Sequence, residues 1–329
     1  MIDYINLTLS TDCDYNCWYC YLTKEARQSK FIFTDWSGLR EFLLRIDLAD
    51  TVNINFVTGE VTNHPDLIRK AVKEIRKLER VKAVRLTFSY ITNGQNHSLT
   101  KSLIHDGMID GLHTALSYDG DKLSSSGHNN IEAVQSIGSI VGSVNTALTI
   151  QSMENIESTL QLMLDSNVTS WSYYLLLDYD SYSDSEFLEL FRAKFLPTVI
   201  KAYECGLNVY NIDQFRKSSQ MNTKHLWCKD NNFIINVDGS ISPCGVEMTH
   251  CRFNPNPLPS LGLSCTNEEL VRYLNNHIQA CHKQNTCDFT HCKASQCVEC
   301  SGMAKIRKNK FQSCILRSIE FDFYSNHLR

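Results

Sequence analysis

Cys13-Asp14-Tyr15-Asn16-Cys17-Trp18-Tyr19-Cys20 puts three thiols inside eight residues, and the reading of the chain turns on this stretch. With 14 cysteines in 329 residues, a Cys-x3-Cys-x2-Cys run arises by chance about 0.03 times per chain. No histidine lies between Asp14 and Phe31, and the next cysteine is Cys205. A structural zinc site is normally closed by four protein ligands. An iron–sulfur cluster can be held by three thiolates, which leaves one iron open to a small molecule. An iron–sulfur cluster, zinc and a structural accident are the readings the run leaves open by itself.

The bulk composition narrows the class. A length of 329 residues with 43% hydrophobic side chains suits a globular chain of about two domains. The formal net charge is −4, and no Lys/Arg run supplies the footprint of a nucleic-acid or acidic-membrane partner. The first residues, Met1-Ile2-Asp3-Tyr4-Ile5-Asn6-Leu7, lack the basic and apolar regions of a targeting peptide, and no apolar run is long enough to span a bilayer. The expected location is therefore the cytoplasm, where many cysteines serve metals rather than disulfides. Three cysteines are bunched at the start, ten lie from Cys228 onward, and Cys205 sits between.

From residue 4 to about 206 the hydrophobic periodicity alternates strand with helix. Strands are expected over 4–10, 52–57, 84–91, 112–116, 146–151 and 171–177. Helices are expected over 35–48, 65–80, 98–105, 131–141, 156–164 and 185–204, the first two burying Leu39, Phe42, Leu43, Ile46, Leu67, Ile68, Val72, Ile75 and Leu78. Six such units with right-handed crossovers require a parallel sheet, open or curled into a barrel. Ligands bind at the carboxyl ends of such strands. There the sequence sets the cysteine loop, then Gly59-Glu60, Asn93-Gly94, Ser117 and Asp119.

On these motifs residues 1–206 resemble a radical SAM enzyme. The resemblance implies an α/β fold, a partial (β/α)6 TIM-type barrel, with a [4Fe–4S] cluster on Cys13, Cys17 and Cys20. Its fourth iron would be chelated by the amino and carboxylate groups of S-adenosylmethionine (SAM). It also implies that Tyr19 lies near the adenine and that Ser117 contacts the ribose or methionine end; Asn93 is a candidate cofactor-binding residue on its strand-end position. Thr58-Gly59-Glu60 is similar to the family's Gly-Gly-Glu motif, which binds the methionine amino group, with Thr in place of the first glycine. Many relatives carry an arginine shortly after the Ser-x-Asp-Gly pattern, and residues 121–130 hold none.

After Gly206 the alternation stops, and residues 207–329 form the expected second, small cysteine-rich domain. Apolar residues on either side of Asp238-Gly239 predict a β-hairpin that carries Cys228 and Cys244 toward each other. The spacing Cys228-x10-Gly239-x4-Cys244 resembles the opening of the SPASM extension of radical SAM enzymes. The resemblance implies auxiliary [4Fe–4S] clusters, two in the preferred reading, drawing on Cys228, Cys244, Cys281, Cys287, Cys292, Cys297, Cys300 and Cys314. Zinc knuckles and a single auxiliary cluster are the alternatives. Cys205, near the end of an amphipathic helix, is expected to be buried as a small hydrophobe. Cys251 and Cys265 are expected in loops. His64, His97, His250 and His291 show no paired spacing and are assigned to surface or packing.

The expected function is reductive cleavage of SAM to a 5′-deoxyadenosyl radical that abstracts hydrogen from a substrate. The SPASM resemblance implies an oxidoreductase that matures ribosomally made peptides or protein side chains, fed by a flavodoxin- or ferredoxin-type electron donor. A sugar or aminocyclitol dehydrogenase or epimerase is the enzymatic alternative, and a zinc-stabilised binding protein the non-enzymatic one. Strand-end position alone makes Asp119, Asp178 and Asp180 candidates for the catalytic acid or base.

Overall fold

The structure, a computed structural model, describes residues 1–118, 130–176, 184–221, 232–244, 250–251, 260–284 and 310–328. Its first seven strands are β1 (Ile2–Thr8), β2 (Leu48–Val57), β3 (Arg85–Thr92), β4 (Ala115–Ser117), β5 (Ser143–Leu148), β6 (Ser170–Leu175) and β7 (Asn208–Val209). All neighbours in this run pair in parallel, in sequence order. The helices between them are α1 (Lys24–Ser29), α2 (Trp36–Arg45), α3 (Pro65–Lys82), α4 (His97–His105), α5 (Ile131–Ile137), α6 (Ile150–Glu154), α7 (Ile156–Asp165), α8 (Ser185–Leu190) and α9 (Leu196–Glu204). Together they make the partial barrel expected of the sequence.

Local chemistry sets the boundaries. Asp35 caps α2 by accepting from the Gly38 amide at 2.9 Å. Pro65 opens α3, where its missing N–H and fixed φ cost nothing, and Ala83 ends the helix in the left-handed region at φ 54°. The strand expected over 146–151 ends earlier, at Leu148, because Thr149 and Ser152 form a capping box that starts α6.

Each strand turns alternate side chains to opposite faces. Ile5, Leu7, Val52, Ile54, Phe56, Leu86 and Phe88 face the helices and pack with Phe42, Ile68 and Val72 in one continuous core. The inner face of β1 to β3 is polar. Asn55 donates to Asn6 at 3.0 Å, Ser89 donates to Asn53 at 2.9 Å and Asn55 at 3.1 Å, and Asn53 donates to Thr87 at 3.0 Å. Buried polar groups are tolerated when so bonded.

Past Gly206 the structure adds features the periodicity did not show. β7 and α10 (Tyr210–Met221) extend the alternation. The predicted hairpin is present as β8 (Asn232–Ile235) and β9 (Ser240–Ser242), followed by β10 (Leu261–Gly262). β8 lies parallel to β1 on the sheet's other edge, so the order is β10-β9-β8-β1-β2-β3-β4-β5-β6-β7. α11 (Asn267–Gln284) packs Leu270 and Leu274 into the core beside β1 to β3. α12 (Lys310–His327) packs Leu316 and Tyr324 into a second core with β6 and α9. No helix among the described residues is long and apolar enough to cross a membrane.

Candidate functional site

The carboxyl ends of β1, β2 and β3 converge on the cysteine loop through hydrogen bonds between loops. After β2, the Glu60 amide donates to the Asp12 carbonyl at 2.6 Å, and the Thr58 hydroxyl donates to the Ser10 carbonyl at 3.0 Å. Gly59 sits at φ 57°, and a Cβ there would meet the Asp12 oxygen at 2.4 Å. Glycine is required twice over, by dihedral and by space. Thr58 takes φ 71° despite its branched Cβ, a strained conformation that persists only where its surroundings hold it.

Glu60 joins the loops. It is 1% exposed. Its Oε1 accepts from the Thr62 amide at 3.2 Å, the Thr62 hydroxyl at 2.6 Å and the Thr92 hydroxyl at 2.9 Å. Its Oε2 accepts from the Asn93 amide at 2.6 Å. Burial raises the carboxyl above its ordinary pKa, and these donors oppose that rise. Asn93 also reaches the thiol loop, its Nδ2 donating to Cys13 Sγ at 4.0 Å.

Cys13, Cys17 and Cys20 are half-buried, and the Cys20 amide donates to the Cys17 carbonyl at 3.1 Å across the turn. The Cys13 thiol is pushed up to about 12, first by burial, with Glu60, Cys17 and Cys20 adding to it. A cation bound there would reverse this cost, because metal coordination favours thiolates. No group of three His, Cys, Asp or Glu among the described residues is placed to hold a single metal ion. A lone tetrahedral zinc, with Zn–S near 2.3 Å, needs sulfurs about 3.8 Å apart. An iron–sulfur cluster is held by thiolates at separate corners, so three soft sulfur donors on one loop fit it by their chemistry.

Asp12, just before Cys13, holds an ion pair with Lys30 Nζ at 3.0 Å, and its other carboxylate oxygen lies 3.2 Å from His64 Nε2. Asp12 does not stand out in the sequence as a site residue, although its place against the first cysteine is a signal. Tyr19 packs at the edge of the second core, with the half-exposed Trp18 edge-on at 5.4 Å. Ser117 ends β4 and is buried. Asn130, which precedes α5, donates through Nδ2 to the carbonyls of Asn93 and Ser117. It too was missed; an Asn at the start of an apolar period was the available cue.

From the tail, Cys251 pairs with Leu22 in an antiparallel bridge, His250 stacks on Phe31 at 4.9 Å, and the Thr23 amide donates to the His250 carbonyl at 2.9 Å. Cys251 is 3% exposed, so the tail packs directly beside the thiol loop. Cys265 is also buried, in the first core. Cys205 corrects the expectation of burial. It is exposed because it caps the end of α9, beyond the helix's apolar face. Cys244 is half-buried after β9, and the backbone of Cys281 and Cys314 lies in α11 and α12. Asp119, Asp178, Asp180, Cys228, Cys287, Cys292, Cys297 and Cys300 lie outside the described residues.

No family model and no curated protein matches the sequence. Solved structures do match. anSMEcpe with bound AdoMet superposes with a TM-score of 0.74 at 16% identity, over 100% of this chain and 94% of that one. anSMEcpe with AdoMet and the Kp18Cys peptide gives 0.73 at 16%, over 100% and 98%. SuiB of Streptococcus suis bound to the precursor peptide SuiA gives 0.58 at 15%, over 93% and 71%. At these identities the likeness establishes a shared fold.

Proposed function

We propose that this chain is a radical SAM enzyme that matures a ribosomally made peptide or a protein side chain. The observation that carries the reading is the mouth of the partial barrel. There Asn93 ties Cys13 to Glu60, so the thiol loop and the carboxylate form one bonded unit. Cys13, Cys17 and Cys20 would hold a [4Fe–4S] cluster whose open iron takes SAM. When bound, that cluster supplies the electron that cleaves SAM to a 5′-deoxyadenosyl radical.

The chain's own residues do the positioning. Oε1 of Glu60 already takes three donors, so the second lone pair of Oε2 is the acceptor left for the cofactor's ammonium group. Tyr19 and Ser117 would meet the adenine and the ribose or methionine end. The buried outer faces of β1 to β6 close the far side of the barrel against water, the condition radical chemistry requires. Residues 207–329 would carry the auxiliary clusters, with Cys244 the tail candidate whose surroundings are described. Asp119, Asp178 and Asp180 stay as acid or base candidates. A peptide substrate is favoured because the shared fold includes anSMEcpe with the Kp18Cys peptide and SuiB with SuiA.

Protein purified without oxygen should be brown and hold roughly eight to twelve iron atoms, two to three clusters. After reduction it should release 5′-deoxyadenosine from SAM, and replacing Cys13, Cys17 and Cys20 with Ala should abolish this while the tail keeps its iron. Colourless protein holding only zinc would end the reading. A peptide substrate labelled with deuterium should pass the label into 5′-deoxyadenosine. Transfer from a labelled sugar and none from peptide would overturn the substrate class.

A further inference from the structure

Arg27, on α1, is a cation held against the thiol loop with no acid to balance it. Its Nη1 donates to Asn16 Oδ1 at 3.0 Å, and Asn16 immediately precedes Cys17. The residue is half-buried, and its Nε is buried without a hydrogen-bond partner. Among the described residues no carboxylate pairs with the guanidinium. The acids of the loop are engaged elsewhere. Asp12 pairs with Lys30 at 3.0 Å, and Lys30 is held above its ordinary pKa first by Asp12, with Asp14 adding to it. A partly desolvated cation costs free energy unless negative charge lies near it.

The thiol loop is the nearest source of such charge, on the reading that Cys13, Cys17 and Cys20 ligate a cluster, because cysteine binds metal as the thiolate. The Asn16 side chain and one step of backbone put the guanidinium within about 10 Å of the Cys17 Cα, roughly one Debye length. At that range and an effective dielectric of ~20, a unit charge is worth about tenfold in an equilibrium that changes the charge of the loop by one. Reduction of a cluster adds one negative charge, and local net charge is among the factors that set its potential. We propose that Arg27 is a positioning residue for the thiol-loop cluster: its bond to Asn16 fixes a positive charge beside the three thiolates and raises the reduction potential there. Arginine suits the task, since its guanidinium stays charged when partly buried.

The test reads a potential rather than an activity. Protein loaded with its clusters is titrated with dithionite, without oxygen, and followed by electron paramagnetic resonance. The signal that changes when SAM is added belongs to the thiol-loop cluster. Arg27→Gln keeps a donor for Asn16 but loses the charge, and its cluster should reduce about tenfold less readily, a shift of ~59 mV to lower potential for one electron. Arg27→Lys keeps the charge and should stay near wild type. A potential unchanged in Arg27→Gln, or lowered equally in Arg27→Lys, would overturn the assignment while leaving the cluster reading intact. If Arg27→Gln holds no thiol-loop iron, Arg27→Lys decides: wild-type iron and potential support the role of the charge, and loss of either overturns it. A wild type whose signals do not respond to SAM would overturn this assignment and the proposed function together.

Discussion

The loop ends of β1 to β3 and the wall where β6 meets α9 and α12 hold their parts together in opposite ways. At the loop ends, directional bonds run from one loop to the next through Asp12, Thr58, Glu60, Asn93 and Asn130. In the wall, Trp171 and Tyr173 press their rings edge-on against Phe195, at 6.0 Å and 4.8 Å. Apolar contact gives adhesion without direction, whereas hydrogen bonds fix distance and angle. The wall can therefore supply stability, and the loop ends can set atoms for a ligand.

Three changes probe that division. Trp171 is fully buried, and Trp171→Ala should cost about 4 kcal/mol. It should lower the melting temperature while SAM affinity, measured calorimetrically on folded protein, stays unchanged; a parallel loss of affinity would mean the two regions are not separate. Gly59→Ala forces a Cβ against the Asp12 carbonyl at positive φ and should cost about 3 kcal/mol. Unlike the wall variant, it should also lose the SAM binding and the thiol-loop iron that the proposed function requires. Retention of both on iron assay and titration would show that the loop does not need its close approach.

Tyr173 is a polar exception inside the wall. Its hydroxyl bonds to Glu320 and to Tyr324, and burial, then the Glu320 charge, hold the phenol well above its ordinary pKa. Tyr173→Phe should cost about 2 kcal/mol, because it leaves a buried carboxyl short of a partner. A melting temperature unchanged from wild type would show the network to be idle.

The smallest effect lies outside both regions. At the start of α11 the Thr266 amide donates to Glu269 at 2.8 Å, and this bond lowers the Glu269 carboxyl. A carboxyl lowered by folding stabilises above its ordinary pKa and loses that contribution as pH falls through its folded value. Wild type should therefore melt slightly above Glu269→Gln at pH 7, and the gap should close as pH falls below the folded carboxyl's value. A difference that persists in acid would assign the effect to packing.

The parallel barrel was legible because its strands and helices announce themselves by period, and Phe42, Ile68 and Val72 are buried as their spacing predicts. Where period yielded to local chemistry, the reading slipped. Thr149 and Ser152 ended β5 early through their capping box, and Cys205 fell just past the helical face that would have buried it. At the site, Cys13, Cys17, Cys20, Gly59 and Glu60 were visible as motifs. Asp12 and Asn130 were not, because their roles arise from contacts with loops 48 and 37 residues away.

By itself the sequence determined that three thiols stand at the end of a first strand, in a chain whose alternation compels a parallel sheet. Short-range spacing and periodicity carry that much, since both depend on residues near one another in the chain. Tertiary structure decided that the tail hairpin joins the barrel beside β1 and that His250 and Cys251 pack on Leu22, Thr23 and Phe31, just past the thiol loop. It also decided that one asparagine binds the loops after β3 and β4. Each of these depends on the meeting of distant segments, which no local pattern encodes and which only the packing of the whole sheet brings about.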